Sequence, residues 1–154
     1  MTKATFKDYS RTFFSAAFLI ISIITLSQVD FAQSSDPDHP SALIKGVING
    51  SSSGSLSDEK TYYYAFNVKK GTLTLTLDIT PLNKSDGGGY AAWTLLNTKF
   101  ATLKTDVLTA HASPERQIKD MPVTIKRRII MKIVVSGNMK YKFKLAGNAV
   151  NLAQ

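Results

Sequence analysis

The sequence predicts an all-β protein in which short antiparallel strands form a sandwich or a barrel. Residues 72–79 alternate strictly between apolar and polar side chains, which is typical of a strand buried on one face. Turn signals rich in glycine and asparagine separate similar short runs along the rest of the chain. No segment after residue 40 carries a sustained helical period of apolar residues, so no amphipathic helix is expected there.

A second alternating run, at residues 62–68, precedes this strand, and Lys69-Lys70-Gly71 connects the two. Because the connection is short and its glycine tolerates a positive φ, the two runs are predicted to form a hairpin. Further strands are predicted at 43–48, 90–96, 100–103, 107–111, 122–126, 129–135 and 140–145, with a turn at Asn49-Gly50.

The last two predicted strands alternate so that their odd-numbered apolar residues face inward: Ile129, Met131, Ile133, Val135, Tyr141, Phe143 and Leu145. If they pair as a hairpin, inward residues must oppose inward residues, which requires a loop of odd length with a positive φ at Gly137 or Asn138. The outer face of this hairpin would then gather five cations: Arg128, Lys132, Lys140, Lys142 and Lys144. These residues are the candidate ligand-binding face; the alternative is that they only prevent edge-to-edge aggregation.

Length and composition limit the classes of protein that remain. A chain of 154 residues favours one domain over a multidomain enzyme. It has no cysteine, which excludes disulfides, thiolate metal sites and a cysteine nucleophile. The formal net charge of +8 favours anionic partners.

The N-terminus predicts export. Lys3, Lys7 and Arg11 precede an uncharged, largely apolar run at residues 12–29, the pattern of a signal peptide. A cleavage site is expected after Ala32 or Ser27. The run also just reaches the length of a membrane-spanning helix, so a retained anchor is the alternative. Both interpretations place the body outside the cytoplasm, either as a secreted, periplasmic or cell-surface protein or as a single-pass anchored one.

The predicted organisation is therefore a signal or anchor at 1–32, a flexible linker at 33–41, a β-sandwich domain at 42–147 and a C-terminal tail at 148–154.

Several stretches resemble, in order, the bacterial pre-peptidase C-terminal domain. They are Gly54-Ser55-Leu56-Ser57-Asp58, residues 62–77, Ala91-Ala92-Trp93-Thr94-Leu95-Leu96-Asn97, Ile133-Val134-Val135-Ser136-Gly137 and Tyr141-Lys142-Phe143-Lys144-Leu145. The resemblance covers about residues 46–147. It implies a jelly-roll-like β-sandwich of the kind usually appended to secreted proteases and collagenases. There it helps to bind substrate or cell surface, sometimes with calcium. Lys60 and Thr61 stand where the family usually has an aspartate, which weighs against calcium here.

Candidate metal ligands are few. Asp58, Glu59, Asp78 and Asp86 carry oxygens of the type that calcium prefers, but no EF-hand spacing is present. Exposed turn acids are the favoured interpretation, and no cofactor is expected. His39, beside Asp36 and Asp38, is a weak candidate for a divalent ion and is better explained as part of a solvated linker.

The stretch Gly50-Ser51-Ser52-Ser53-Gly54 formally matches the G-x-S-x-G nucleophile elbow. That motif requires a following helix, and none is predicted, so a serine- and glycine-rich turn is favoured.

The function expected from the sequence is that of an exported, non-enzymatic module that binds an extracellular polymer, either polysaccharide or protein matrix, or a cell surface. Nucleic acid is not an expected partner, because the body is exported and no aromatic residue lies among the outward lysines. One alternative is a membrane-anchored adaptor that acts through a protein partner and contacts the membrane only through residues 12–29. The other is a small secreted serine hydrolase that uses Ser52 or Ser53 with His111.

Overall fold

The described residues form a long antiparallel hairpin that is rolled up into two facing sheets. The computed structural model describes residues 33–43, 45–83 and 87–152. Its strands are β1 (Ser41–Ala42), β2 (Val47–Ser52), β3 (Lys60–Val68), β4 (Gly71–Pro81), β5 (Gly89–Leu96), β6 (Thr102–Ala110), β7 (Glu115–Val123), β8 (Arg127–Gly137), β9 (Met139–Ala146) and β10 (Val150–Asn151). No helix occurs in these residues, so none of them offers a helical span that could cross a membrane.

The large sheet has the order β1-β3-β8-β5-β6, with β10 also paired to β3, and the small sheet has the order β2-β9-β4-β7. The two arms of the long hairpin pair antiparallel along their whole length, which gives the pairs β2–β9, β3–β8, β4–β7 and β5–β6. Rolling adds the pairs β4–β9 and β5–β8. This connectivity is that of an eight-stranded jelly roll, which confirms the predicted fold class.

The hydrophobic core lies between the two sheets and is built by strict alternation. In β4 every second residue from Leu73 to Ile79 is buried, and in β9 every second residue from Met139 to Leu145 is buried. Trp93 of β5 and Phe143 of β9 are the two largest fully buried side chains. Burying an apolar side chain contributes roughly 1.5–3 kcal/mol, so these inner faces supply most of the driving force for folding.

The predicted hairpin of residues 62–68 with 72–79 is wrong. β3 belongs to the large sheet and β4 to the small one, so Lys69 and Lys70 cross between sheets. The crossing is held by Asn148, whose Oδ1 accepts a hydrogen bond of 2.6 Å from the backbone N–H of Thr72. Gly71 has a φ of 152° and lies so close to Asn148 that a β-carbon would clash. The two apolar faces therefore pack against each other through the core.

The predicted hairpin of the last two strands is wrong for the same reason. β8 pairs with β3 and β5 in the large sheet, whereas β9 pairs with β2 and β4 in the small sheet. The inward parity of both strands and the positive φ at Gly137, 85°, are as predicted. Asn138 donates its N–H to the carbonyl of Gly88 and accepts from the N–H of Leu82, each at 3.0 Å. The turn therefore passes between the sheets.

Other strands differ in their bounds. The runs at 100–103 and 107–111 form one continuous strand, β6, and the predicted strand at 122–126 is the end of a longer one, β7. The strand predicted at 43–48 is replaced by β1 and by β2, and β2 contains the Asn49-Gly50 pair that was expected to turn. Gly50 is extended within β2, and the ring of its partner Tyr141 occupies the space where a side chain would lie, so a larger residue would not fit.

Segments outside the predicted sandwich boundary also join the large sheet. Ser34 forms an isolated antiparallel bridge with Tyr63, and β1 pairs in parallel with Tyr64 and Ala65. From the other end of the chain, β10 pairs with Asn67 and Val68. The free edge of β3 is thereby covered along much of its length, which protects it from pairing with another chain. The signal or anchor predicted at 1–32 lies outside the described residues.

The edge strands β6 and β7 close one side of the sandwich with polar contacts. Lys119 of β7 forms an ion pair of 2.9 Å with Asp106 of β6, and this contact lowers the pKa of the Asp106 carboxyl. Gln117 accepts a 3.2 Å hydrogen bond from the indole N–H of Trp93 and donates one of 3.3 Å to the carbonyl of Val107. Inward-pointing polar groups at these edges join the two sheets where the core meets solvent.

Candidate functional site

The outer face of the small sheet carries a row of three lysines on β9. The strand alternates so that Tyr141 and Phe143 enter the core while Lys140, Lys142 and Lys144 are exposed. Side chains two residues apart on a strand are separated by about 7 Å, so the three charges span about 14 Å in a straight line. Within the described part of the chain, none of the three forms an ion pair.

Neighbouring strands flank each lysine with mostly polar side chains. On β2 the lysines face Ser51, Asn49 and Val47, and on β4 they face Thr80, Asp78 and Thr76. Adjacent strands lie about 4.8 Å apart, so every lysine has a possible hydrogen-bonding neighbour at close range. The result is a charged central strand in a mostly polar surface, which we call the lysine row.

Asp78 forms no ion pair with its neighbour Lys142 on β9, because its carboxylate is bound to Arg116 on the other adjacent strand, β7. The carboxylate accepts two hydrogen bonds from Arg116 of β7: one from Nε and one of 3.2 Å from Nη2. Contact with this carboxylate raises the pKa of Arg116. Such a two-point pair holds both side chains in one orientation. The positive charge of the lysine row therefore stays available to an external anion.

A hollow of about 390 Å³ opens at the same end of β4 and β7. Its walls are formed by Asp78, Ile79, Thr80, Pro114, Glu115 and Arg116. Two of these residues, Asp78 and Thr80, face Lys142 and Lys140 on the adjacent strand. The hollow is thus continuous with the lysine row.

The five predicted cations do not form one surface. Lys140, Lys142 and Lys144 lie together, but Arg128 and Lys132 are on β8, whose outer face belongs to the large sheet. β8 and β9 lie in opposite sheets, so the shared outward parity places the two groups on opposite sides of the sandwich.

The predicted calcium ligands are not brought together. The Asp58 carboxylate accepts the backbone N–H of Ser55 at 2.9 Å, and Glu59 accepts the hydroxyl of Tyr90, which raises the pKa of that tyrosine. Asp78 is paired with Arg116, and Asp86 lies outside the described residues. Across the ranges that the structure describes, no group of three or more acidic, histidine or cysteine side chains is arranged to hold a metal. His39 instead contacts Asp36 at 2.7 Å, and this contact raises the pKa of His39.

The serine and histidine of the hydrolase alternative are not assembled either. Ser52 is 1% exposed at the end of β2, and its Oγ has no hydrogen-bond partner among the described residues. It therefore makes no hydrogen bond to His111, which is exposed after β6. A strand-to-helix elbow is also missing, because the residues after β2 form a turn that leads into β3.

Sequence reasoning missed Asp78 and Arg116 as neighbours of the lysines. Alternation in β4 already places Asp78 on an outer face, but nothing local shows that β9 lies beside it. Arg116 was missed because its strand was not recognised.

Comparisons with known proteins identify similar folds only. No protein-family model matches the chain, and no curated protein matches it by sequence. Among solved structures, it is similar to a CBM4 carbohydrate-binding module, with a TM-score of 0.41 and 7% identity over 57% of this chain and 61% of that chain.

The chain is also similar to the pre-peptidase C-terminal domain of a collagenase from Bacillus anthracis, with a TM-score of 0.41 and 15% identity over 73% of this chain and 100% of that domain. This is the family that the sequence resembles. A third structure, the arabinose-bound α-L-arabinofuranosidase MgGH51, matches with a TM-score of 0.40 and 12% identity over 73% of this chain and 22% of the enzyme. The chain thus spans less than two thirds of the first and third of these structures.

Proposed function

We propose that this protein is a non-catalytic module that binds an anionic polymer outside the cytoplasm, through the lysine row of its small sheet. The observation that carries the proposal is the alternation of β9, which exposes Lys140, Lys142 and Lys144 in line and leaves each without an ion-pair partner among the described residues. The N-terminal pattern of basic residues followed by an apolar run supports the proposed placement outside the cytoplasm.

Like charges in a row repel one another, and the repulsion is reduced when an anion lies across them. A linear polyanion gains more than a single ion, because its successive charges meet successive lysines without further loss of translational freedom. The net charge of +8 adds a long-range attraction that accelerates association with such a polymer.

The face is suited to charge recognition and not to stacking. Its described outward residues on β2, β4, β7 and β9 include no aromatic side chain. The large aromatic rings of these strands, Tyr141 and Phe143, are buried in the core. A ligand held there must be recognised through ionic and hydrogen-bonding contacts, which excludes binding of bases or neutral rings by stacking on this face.

The test is a triple replacement of Lys140, Lys142 and Lys144 by glutamine. An exposed ion pair contributes about 0.2–1 kcal/mol, so loss of three should weaken binding to heparin about three- to hundredfold. Elution from a heparin column should move to lower salt, because the remaining attraction is more easily screened. The core should be unaffected, since none of the three side chains enters it.

A matched control replaces three exposed lysines outside the face, Lys99, Lys104 and Lys126, by glutamine. This variant has the same net charge as the first. If the two variants elute at the same salt concentration, heparin binding depends only on the total charge of the protein. The lysine row is then not the binding site.

A further inference from the structure

The hollow beside the lysine row differs from it in chemistry. On the side of the lysine row its polar side chains are a carboxylate, Asp78, a guanidinium, Arg116, and a hydroxyl, Thr80, whereas Glu115 is paired with the inward Ile79 and alternates to the other side. The carboxylate of Asp78 is 29% exposed and the guanidinium of Arg116 is 66% exposed, so both are held in place and still accessible. The hollow, about 390 Å³, is open to solvent, so a ligand bound there stays partly exposed.

These groups both donate and accept hydrogen bonds. Arg116 uses two of its N–H groups on Asp78, which leaves about three of its five donors free. The carboxylate of Asp78 only accepts. A hydroxyl group donates and accepts, so a ring with several hydroxyls matches the hollow. A sulfate or phosphate gains little there, because the carboxylate of Asp78 already balances the charge of the Arg116 guanidinium.

We infer that the hollow is a subsite for an uncharged, hydroxyl-bearing sugar unit of the polymer whose acidic groups bind the lysine row. Asp78 and Thr80 lie one strand away from Lys142 and Lys140, about 4.8 Å between backbones, so adjoining units of one chain reach both places. The inference rests on the proposed function and narrows its ligand to an acidic polysaccharide that contains uncharged units.

The test uses the purified protein and two probes: hyaluronan, which alternates acidic and uncharged sugars, and inorganic polyphosphate, which has no hydroxyl-bearing ring. The variant is Asp78→Asn. The control is Asp120→Asn, which removes a carboxylate from the same pair of strands, where it accepts a 2.6 Å hydrogen bond from Thr74. Both variants remove one negative charge, so charge alone predicts equal or tighter binding of either probe by both.

The expected result is that Asp78→Asn weakens hyaluronan binding about tenfold, because hydrogen bonds from sugar hydroxyls to a charged carboxylate are lost. Its binding of polyphosphate should be unchanged or tighter, and Asp120→Asn should weaken neither. Thr80→Val, which replaces the hydroxyl by a methyl group of similar size, should also reduce hyaluronan binding. It serves as the second test if Asp78→Asn proves poorly folded by circular dichroism.

Suppose that wild-type protein binds both probes, but that Asp78→Asn and Thr80→Val bind hyaluronan as tightly as Asp120→Asn does. The inferred subsite is then wrong, and the proposed binding of anions by the lysine row is not affected. If wild-type protein binds neither probe at low salt, the proposed function itself is wrong.

Discussion

Two buried tyrosines determine how the protein should respond to alkaline pH. Tyr64 of β3 and Tyr141 of β9 are 4% and 3% exposed, and burial raises the pKa of both hydroxyls. For Tyr64 the proximity of Tyr141 and Tyr62 raises it further, although a hydrogen bond with Gln33 opposes the shift. The folded state therefore holds its protons more tightly than the unfolded state, in which a tyrosine titrates near 10.

It follows that the contribution of these tyrosines is fully present below pH 10 and is lost as the pH rises above 10. We expect the urea midpoint of the wild-type protein to fall between pH 8 and pH 11, and to fall less in Tyr64→Phe, which has no proton to lose. Tyr63→Phe, on the opposite face of the same strand, is the control and should retain the wild-type dependence. An equally steep fall in Tyr64→Phe would contradict the assignment.

At the scale of elements, β7 shows why an edge strand is hard to recognise. Its inward positions carry Glu115, Gln117 and Lys119, because they face the open side of the sandwich, whereas Ile118 points outward and is 59% exposed. The first part of β7 therefore lacks apolar residues at its inward positions, and the ordinary alternation returns only at Met121 and Val123. Pro122 is tolerated because β7 pairs on one side only.

Gln117 of β7 contacts the buried Trp93 of β5, since its Oε1 accepts the indole N–H. In Gln117→Leu the buried N–H loses its acceptor, and the free energy of unfolding should fall by about 1–3 kcal/mol. Gln117→Glu keeps an acceptor oxygen and should lose less. Urea unfolding followed by circular dichroism measures both; a leucine variant as stable as the wild-type protein would show that this hydrogen bond contributes nothing.

At the scale of the whole molecule, the rolled hairpin brings together strands that are far apart in the chain. β2 and β9 pair residue by residue although they lie near opposite ends of the sandwich sequence. Long loops must close before such pairs form, and folding is slow when most contacts are of this kind.

We therefore expect refolding on a timescale of roughly milliseconds to seconds. Trp93 is the only tryptophan and is fully buried, so its fluorescence reports the formation of the core in stopped-flow dilution from urea. Lys142→Gln, which alters only the exposed face, should refold at the same rate. Completion within microseconds would be incompatible with a topology dominated by distant pairs.

The same contrast of local and distant contacts explains which expectations were correct. Inward and outward residues of β4, β8 and β9 could be predicted, because alternation is a property of a single strand. The hairpins at Gly71 and Gly137 were not correct, because a short connection with a positive φ serves equally well to cross between sheets. The jelly roll implied by the family resemblance already requires such crossings, since its consecutive strands mostly alternate between sheets.

By itself the sequence determined that the protein is built of antiparallel strands, as a sandwich or a barrel, and that Lys140, Lys142 and Lys144 face outward, because both depend on a period of two residues along one strand. Only the tertiary structure decided that Arg128 and Lys132 belong to the opposite sheet, and that Asp78 and Arg116 adjoin the lysines. A surface is made by neighbouring strands, and neighbours in a rolled sheet are chosen by the packing of two apolar faces across the core rather than by proximity along the chain.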